Sequence, residues 1–310
     1  LRVQPITKKY ALARGKLGCL GEVATLNVTR GCAGMCVFCY ARCLPGMPPG
    51  DTIQVYSNLP QRLRLQLDSS RRKSPLPDFV ILSTAGDAFL GGEAVLQVTR
   101  PCLEILLNRN IGISFSTRGE IPEDLLALLS RHARHVRVFI PLVSMSDDYT
   151  RAWEPGAALP RRRLFLAQKL MDAGIRPRFR LDPVIPFVND KSADLERVLS
   201  AVAGLGLKRI IASFLHIRPG VERLIRHEAP EELRRLVLGG FPGLEQRPDR
   251  FQYLPDRQCN ASLERIRRLA RERDLRVSAC QCQNPGLLSE PCPVTPPELP
   301  GPLAQQTTLF

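Results

Sequence analysis

The strictest constraint in this sequence is an alternation of two periodicities. Ala24 to Val28, Phe79 to Ser83, Ile111 to Ser116, Val136 to Val143, Arg178 to Ile185 and Arg209 to Phe214 are short, β-branched-rich runs that read as buried strands. Between them, Leu59 to Leu67, Ala94 to Asn108, Glu123 to Arg134, Arg161 to Ala173 and Ala193 to Leu205 carry helical spacing, with stops at Gly174 and from Gly204 to Gly206. Strand and helix in strict alternation demand parallel βαβ units, because a parallel neighbour is reached only through a crossover. Six units give an α/β fold, read as a partial (β/α)6 barrel in preference to a doubly wound sheet.

That barrel is expected over residues 23–220, after an N-terminal segment 1–22. Beyond Pro219 the pattern changes: Val221 to Leu236 and Ala261 to Arg273 read as helices and Leu275 to Ala279 as a strand, giving a C-terminal extension over 221–294. A Pro-rich tail over 295–310 completes the division. No apolar run approaches the roughly 18 to 20 residues of a membrane span. Arg2, Lys8, Lys9 and Arg14 interrupt any signal-like start, so no membrane partner and a cytoplasmic location are expected. Ten cysteines in such a chain read as metal ligands before disulfides. The net charge of +14 is the footprint of a phosphate-bearing partner, although Arg-rich coding also raises it.

Directly after the first strand stands Thr29-Arg30-Gly31-Cys32-Ala33-Gly34-Met35-Cys36-Val37-Phe38-Cys39-Tyr40. The end of a barrel strand is where barrel active sites are built. A zinc site wants four ligands, whereas three thiolates on a cubane of four irons leave one iron open to an outside ligand. With Phe38 before the third cysteine, the segment resembles the signature of the radical S-adenosylmethionine (SAM) superfamily. That resemblance implies a 4Fe-4S cluster on Cys32, Cys36 and Cys39 and SAM on its open iron. It further implies one-electron cleavage of SAM to a 5′-deoxyadenosyl radical that takes hydrogen from a substrate, and an electron donor such as flavodoxin or ferredoxin.

Within the superfamily the chain is most similar to the spore photoproduct lyase-like, or DNA repair photolyase-like, group, over about residues 27–218. The segments that carry this are Asn27-Val28-Thr29-Arg30-Gly31-Cys32, Tyr40-Ala41-Arg42, Ser83-Thr84-Ala85-Gly86-Asp87, Val98-Thr99-Arg100, Ser116-Thr117-Arg118, Trp153-Glu154-Pro155 and Asp182 to Asp190. The resemblance implies cofactor contacts from Phe38, Ser83, Thr84, Asp87, Ser116, Ser144 and Arg180, with Tyr40 as a radical relay. Helix capping by Ser83, Thr84 and Asp87, a pairing role for Arg180 and a turn at Asn189-Asp190 stand beside those readings. Authentic spore photoproduct lyases carry a hydrogen-donating cysteine at the end of strand two. The equivalent Leu82-Ser83-Thr84 has none, so splitting of spore photoproduct itself is not expected.

Cys259, Cys280, Cys282 and Cys292 form a second set, open between an auxiliary iron–sulfur cluster, zinc and unrelated thiols. Cys19, Cys43 and Cys102 read as loop, spectator and core thiols. The segment Gln306-Thr307-Thr308-Leu309-Phe310 resembles the peptide that binds the bacterial sliding clamp, tethered by a Pro-rich spacer. Three functions remain: radical SAM chemistry on a DNA lesion or modified base, the same chemistry on a small molecule, peptide or RNA, and a non-enzymatic iron–sulfur or zinc module.

Overall fold

In the computed structural model the six expected strands lie side by side in one sheet. Residues 1–15, 23–70, 75–244, 250–280, 283–284 and 286–287 are described. The first elements are β1 (Arg2–Ile6), β2 (Ala13–Arg14), β3 (Ala24–Leu26), β4 (Thr29–Arg30) and β5 (Thr52–Tyr56). The alternating part follows as α1 (Leu59–Leu67), β6 (Phe79–Leu82), α2 (Glu93–Leu107), β7 (Gly112–Ser116), α3 (Glu123–Arg131), β8 (Val136–Pro141), α4 (Asp147–Trp153), α5 (Pro160–Asp172), β9 (Arg178–Val184), α6 (Ser192–Gly204) and β10 (Arg209–Phe214). The last part comprises β11 (His216–Ile217), α7 (Val221–Glu228), α8 (Glu231–Gly239), β12 (Gln252–Tyr253), α9 (Asp256–Arg271) and β13 (Arg276–Ala279).

The main sheet runs β13-β10-β9-β8-β7-β6-β3-β2, parallel except for β2, and among the described residues its two ends do not pair, so the barrel is partial. The strand expected in the C-terminal extension is therefore a seventh parallel strand of the barrel sheet, with Ile210 opposite Val277. The helix expected over 221–236 is two helices, because Pro230 has no N–H to donate and α8 starts after it. A small sheet β1-β5-β4 and the pair β11-β12 were not anticipated.

Alternation along the strands sorts side chains to two faces. Phe179 and Leu181 of β9, Val138 and Ile140 of β8, and Ile210, Ala212 and Phe214 of β10 join the large apolar core under the helices. Arg178, Arg180 and Asp182, together with Ser213, take the other face, inside the barrel. There Phe139, Ile211 and Cys280 make a small separate apolar cluster. The helices supply the covering layer through stripes such as Val95, Val98, Cys102 and Leu106 of α2. Among the described residues no helix is long and apolar enough to cross a membrane.

Candidate active site

The chain leaves β4 through Gly31, whose φ of +84° suits glycine and where a Cβ would lie 2.9 Å from Pro48 Cγ and 3.0 Å from the Thr52 carbonyl oxygen. The loop beyond it presents Cys32, Cys36 and Cys39. Gly34 N donates to Cys32 Sγ at 3.4 Å, Cys39 N to the Cys36 carbonyl at 3.1 Å, and Arg42 N to the Cys39 carbonyl at 3.2 Å, which starts the short 3-10 turn Tyr40–Cys43. A Cβ on Gly34 would stand 3.4 Å from the Cys32 sulfur and 3.7 Å from the Cys36 sulfur, so these two thiols share the space over a residue that has no side chain. Burial, with Asp87 adding to it, pushes the Cys32 thiol up to about 12. Burial pushes Cys36 up as well. Both are protonated at neutral pH until a cation takes the proton's place.

Two segments distant in sequence hold this loop. Val37 N donates to the Trp153 carbonyl at 3.0 Å and Gly156 N to the Gly34 carbonyl at 3.1 Å, so residues 153–156 lie along the cysteine loop. On another side Arg42 donates to the Met35 and Cys36 carbonyls at 3.4 and 3.3 Å and grips Glu228 of α7 in a two-pronged pair at 2.6 and 2.7 Å. Cys43 packs against Gly220, where an added Cβ would meet its sulfur at 2.9 Å.

A cavity of about 130 Å³ opens beside the loop, lined by Cys36, Phe38, Cys39, Tyr40, Arg118, Asp182 and His216 among others. Arg118, at the end of β7, is its central cation. Its Nε donates to Glu154 Oε1 at 2.9 Å, its Nη2 to the Asp182 carbonyl at 2.7 Å, and its guanidinium lies 5.5 Å from the Phe38 ring centre. Glu154, 1% exposed, also pairs with the buried Arg163, which donates to the Ala158 and Pro141 carbonyls. Burial alone would raise the Glu154 carboxyl, but Arg163 and Arg118 outweigh it and hold the group below its ordinary value. Tyr40 donates to the Thr84 carbonyl at 2.7 Å beneath the Arg218 guanidinium, 4.0 Å from the ring centre. Burial pushes the phenol up to about 12, so it keeps its proton.

The other anticipated residues divide. Asp87 accepts from Phe89 N, Thr117 Oγ1 and Arg118 N at 2.8 to 3.0 Å, so its carboxylate is spent on protein donors that place Arg118. Thr84 Oγ1 pairs with Asn27, and Ser83, at φ +66°, accepts from Ala88 N at 3.0 Å. Ser116 ends β7 half-buried, and Ser144 accepts from Ser146 N at 3.0 Å. Arg180 pairs with Asp182 Oδ2 at 2.9 Å and also bonds Cys280 inside the barrel, and Ser213 Oγ donates to Asp182 Oδ1 at 2.6 Å. Asn189 and Asp190 form more than a turn, because Asp190 takes Arg265 of α9 at 2.6 Å. Cys102 lies in the core of α2. Of the second cysteine set, Cys259 sits in the large core on α9 and Cys280 in the small interior cluster. Cys282, Cys292, Cys19 and Gln306 to Phe310 lie outside the described residues. Among the described residues no three His, Cys, Asp or Glu side chains are grouped to hold a single metal ion. Three thiols spread along one loop could instead serve as the donor set of an iron–sulfur cluster with an open iron. Arg118, Glu154, Gly156 and His216 were not anticipated as site residues; the motifs Ser116-Thr117-Arg118 and Trp153-Glu154-Pro155 signal the first two, and nothing in the sequence signals Gly156 or His216.

A family model for the radical SAM superfamily matches residues 26–199. An uncharacterized protein of Mycobacterium tuberculosis is 27% identical over 203 residues, which is 63% of this chain and 59% of that protein. The chain thus spans about three-fifths of that relative's length. An uncharacterized protein of Acidianus two-tailed virus is 24% identical over 229 residues, 69% of this chain and 75% of the viral protein. Among solved structures, spore photoproduct lyase complexed with dinucleoside spore photoproduct aligns with a TM-score of 0.67 at 17% identity, over 89% of this chain and 81% of that one. A radical SAM methyltransferase from Sphaerobacter thermophilus aligns with a TM-score of 0.53 at 19% identity, over 83% of this chain and 66% of that one. At those identities the likeness is one of fold.

Proposed function

This chain belongs to the radical SAM superfamily, and on that premise we propose that Cys32, Cys36 and Cys39 hold a 4Fe-4S cluster, that the cavity beside them takes SAM, and that the substrate is a damaged or modifiable nucleic acid. When bound, cluster and SAM supply, for one electron from a donor such as flavodoxin or ferredoxin, a carbon-centred radical that takes a hydrogen atom from the substrate. The observation that carries the reading is the convergence of the three-cysteine loop with Arg118 on one cavity at the mouth of the barrel.

The protein's own part is to bind and to orient. Glu154 and the Asp182 carbonyl fix Arg118, and its Nη1 has no protein partner among the described residues, which leaves that edge for the carboxylate of SAM. Asp87 sets the Thr117-Arg118 backbone, and Tyr40 holds a protonated phenol on the cavity wall as the relay residue. Ser83 is where a thiol would be needed to return hydrogen to a thymine radical. Its O–H bond is too strong for that, so the reaction differs from spore photoproduct splitting. The charge of +14 and the fold shared with a lyase solved with a dinucleoside lesion support a nucleic-acid substrate. Gln306 to Phe310 would add recruitment by the sliding clamp, and Cys259, Cys280, Cys282 and Cys292 are the candidates for a second metal site.

The test is iron and acid-labile sulfide per chain after anaerobic reconstitution, on wild type and on a Cys32, Cys36, Cys39 triple alanine variant, with 5′-deoxyadenosine release in parallel. Loss of about four irons together with release is expected, and about four remaining would mark a second cluster. Unchanged iron in the variant overturns the assignment. Absence of DNA binding at low salt removes the nucleic-acid part.

A further inference from the structure

Phe187 follows β9 at the same end of the parallel sheet as the cysteine loop, and it carries two costs that the free protein recovers only in part. Its φ is +68°, a left-handed conformation that a bulky side chain resists and glycine accepts freely. The residue is 52% exposed, so apolar burial offsets the strain only in part. The conformation is nonetheless imposed from both sides. Phe187 N donates to Asp190 Oδ1 at 2.7 Å, while Asp190 Oδ2 accepts from Arg265 at 2.6 Å and Ser262 at 3.4 Å, both on α9. Asn189 accepts from Ile185 N at 2.8 Å and donates to the Pro183 carbonyl at 3.1 Å and to Tyr149 Oη at 3.0 Å. A strained, rigidly supported residue whose side chain faces water is a feature of sites that meet a partner.

We infer that Phe187 is a stacking platform for a nucleobase held at the barrel mouth, an inference that rests on the nucleic-acid reading above. A fixed ring offers a flat apolar face at little entropic cost, and every base has a π-face to lay on it. Exposed Lys191 flanks the same turn, on a chain of net charge +14, and provides a cation for an adjoining phosphate.

The experiment measures binding of single-stranded DNA containing 2-aminopurine to wild type, Phe187→Gly and Phe187→Trp over a salt series, with thermal unfolding of each protein. Glycine relieves the φ strain, so Phe187→Gly should unfold no lower than wild type. It should bind about 5- to 150-fold more weakly, the loss expected for one base–aromatic stack, with an unchanged salt slope because no charge is altered. Phe187→Trp should bind like wild type and quench 2-aminopurine as strongly. Binding by Phe187→Gly within about twofold of wild type, or equal weakening in both variants, overturns the platform and leaves the nucleic-acid reading standing. Failure of wild type to bind at low salt overturns both.

Discussion

Replacing Gly156 with alanine probes how the cysteine loop gets its shape. An ideal Cβ at this position falls 1.8 Å from the Ala33 carbonyl oxygen, 2.8 Å from its carbonyl carbon and 3.1 Å from Gly34 Cα. All three are backbone atoms, so no side-chain rotation relieves the clash. A tolerable carbon–oxygen approach is about 3.3 Å, and the two segments must therefore part by more than about an ångström. That separation removes the bond from Gly156 N to the Gly34 carbonyl and strains the one from Val37 N to the Trp153 carbonyl. Two hydrogen bonds at about 1 kcal/mol each, with about 1 to 3 kcal/mol for overpacking, give a loss of about 3 to 5 kcal/mol. For a chain of this size the unfolding midpoint should fall on the order of 10 °C. Because Ala33 and Gly34 lie between Cys32 and Cys36, iron retained after reconstitution should fall with it. Gly204→Ala is the control, since no heavy atom lies within 4 Å of its ideal Cβ, and it should be neutral or stabilising by up to about 1 kcal/mol. A Gly156→Ala protein with the midpoint and iron content of wild type would refute the reasoning.

Glu154→Gln leaves Arg118 and the fully buried Arg163 without their shared anion and should cost about 3 to 5 kcal/mol in urea unfolding; an unchanged midpoint would contradict this. The same carboxyl is held below its ordinary value of 4.5. Its contribution is complete above that pH and lost as pH falls through the folded value, so the variant should lack this part of the acid limb in apo-protein stability curves. His216 is pushed down to about 4 by burial and by Arg218, from 6.5. Between those values the unfolded imidazole binds a proton that the folded one refuses, so stability rises with pH across that window, and His216→Gln should flatten the rise. Arg42→Ala removes the pair with Glu228 and the bonds to the Met35 and Cys36 carbonyls. It should lower the apo-protein midpoint without abolishing folding, and wild-type loss rates of iron in the variant would argue against a role in holding the loop.

Legibility in the sequence followed locality. The strands at 79–82, 112–116 and 209–214 were found nearly to the residue, because a strand buried on both faces writes itself as an unbroken apolar run. β1 leaves little trace in the sequence because Arg2 to Pro5 are exposed and Val3 is the one aliphatic residue among them, although they pair in register with Thr52 to Val55. β13 reads as a strand, but nothing in Arg276 to Ala279 says that its partner is β10. The cysteine loop is legible for the same reason as the buried strands, all three cysteines falling within eight residues of chain. Its distant supports are not, because Arg118, Glu154 and Gly156 act on it across many residues of sequence, and Arg118 alone joins three barrel segments. What sequence offers for such residues is a short motif at a strand end, and what it withholds is the direction in which that strand end points. In a barrel the strand ends converge on one mouth, so the strand-end motifs Ser116-Thr117-Arg118 and Asp182 to Asp190, with Trp153-Glu154-Pro155 at the end of α4, are better read as one surface than as separate turns. Phe187 illustrates the gain. As a letter in a turn it is unremarked, but as a strained ring at the mouth that also gathers Cys36, Cys39 and Arg118 it becomes a residue whose cost asks for a partner.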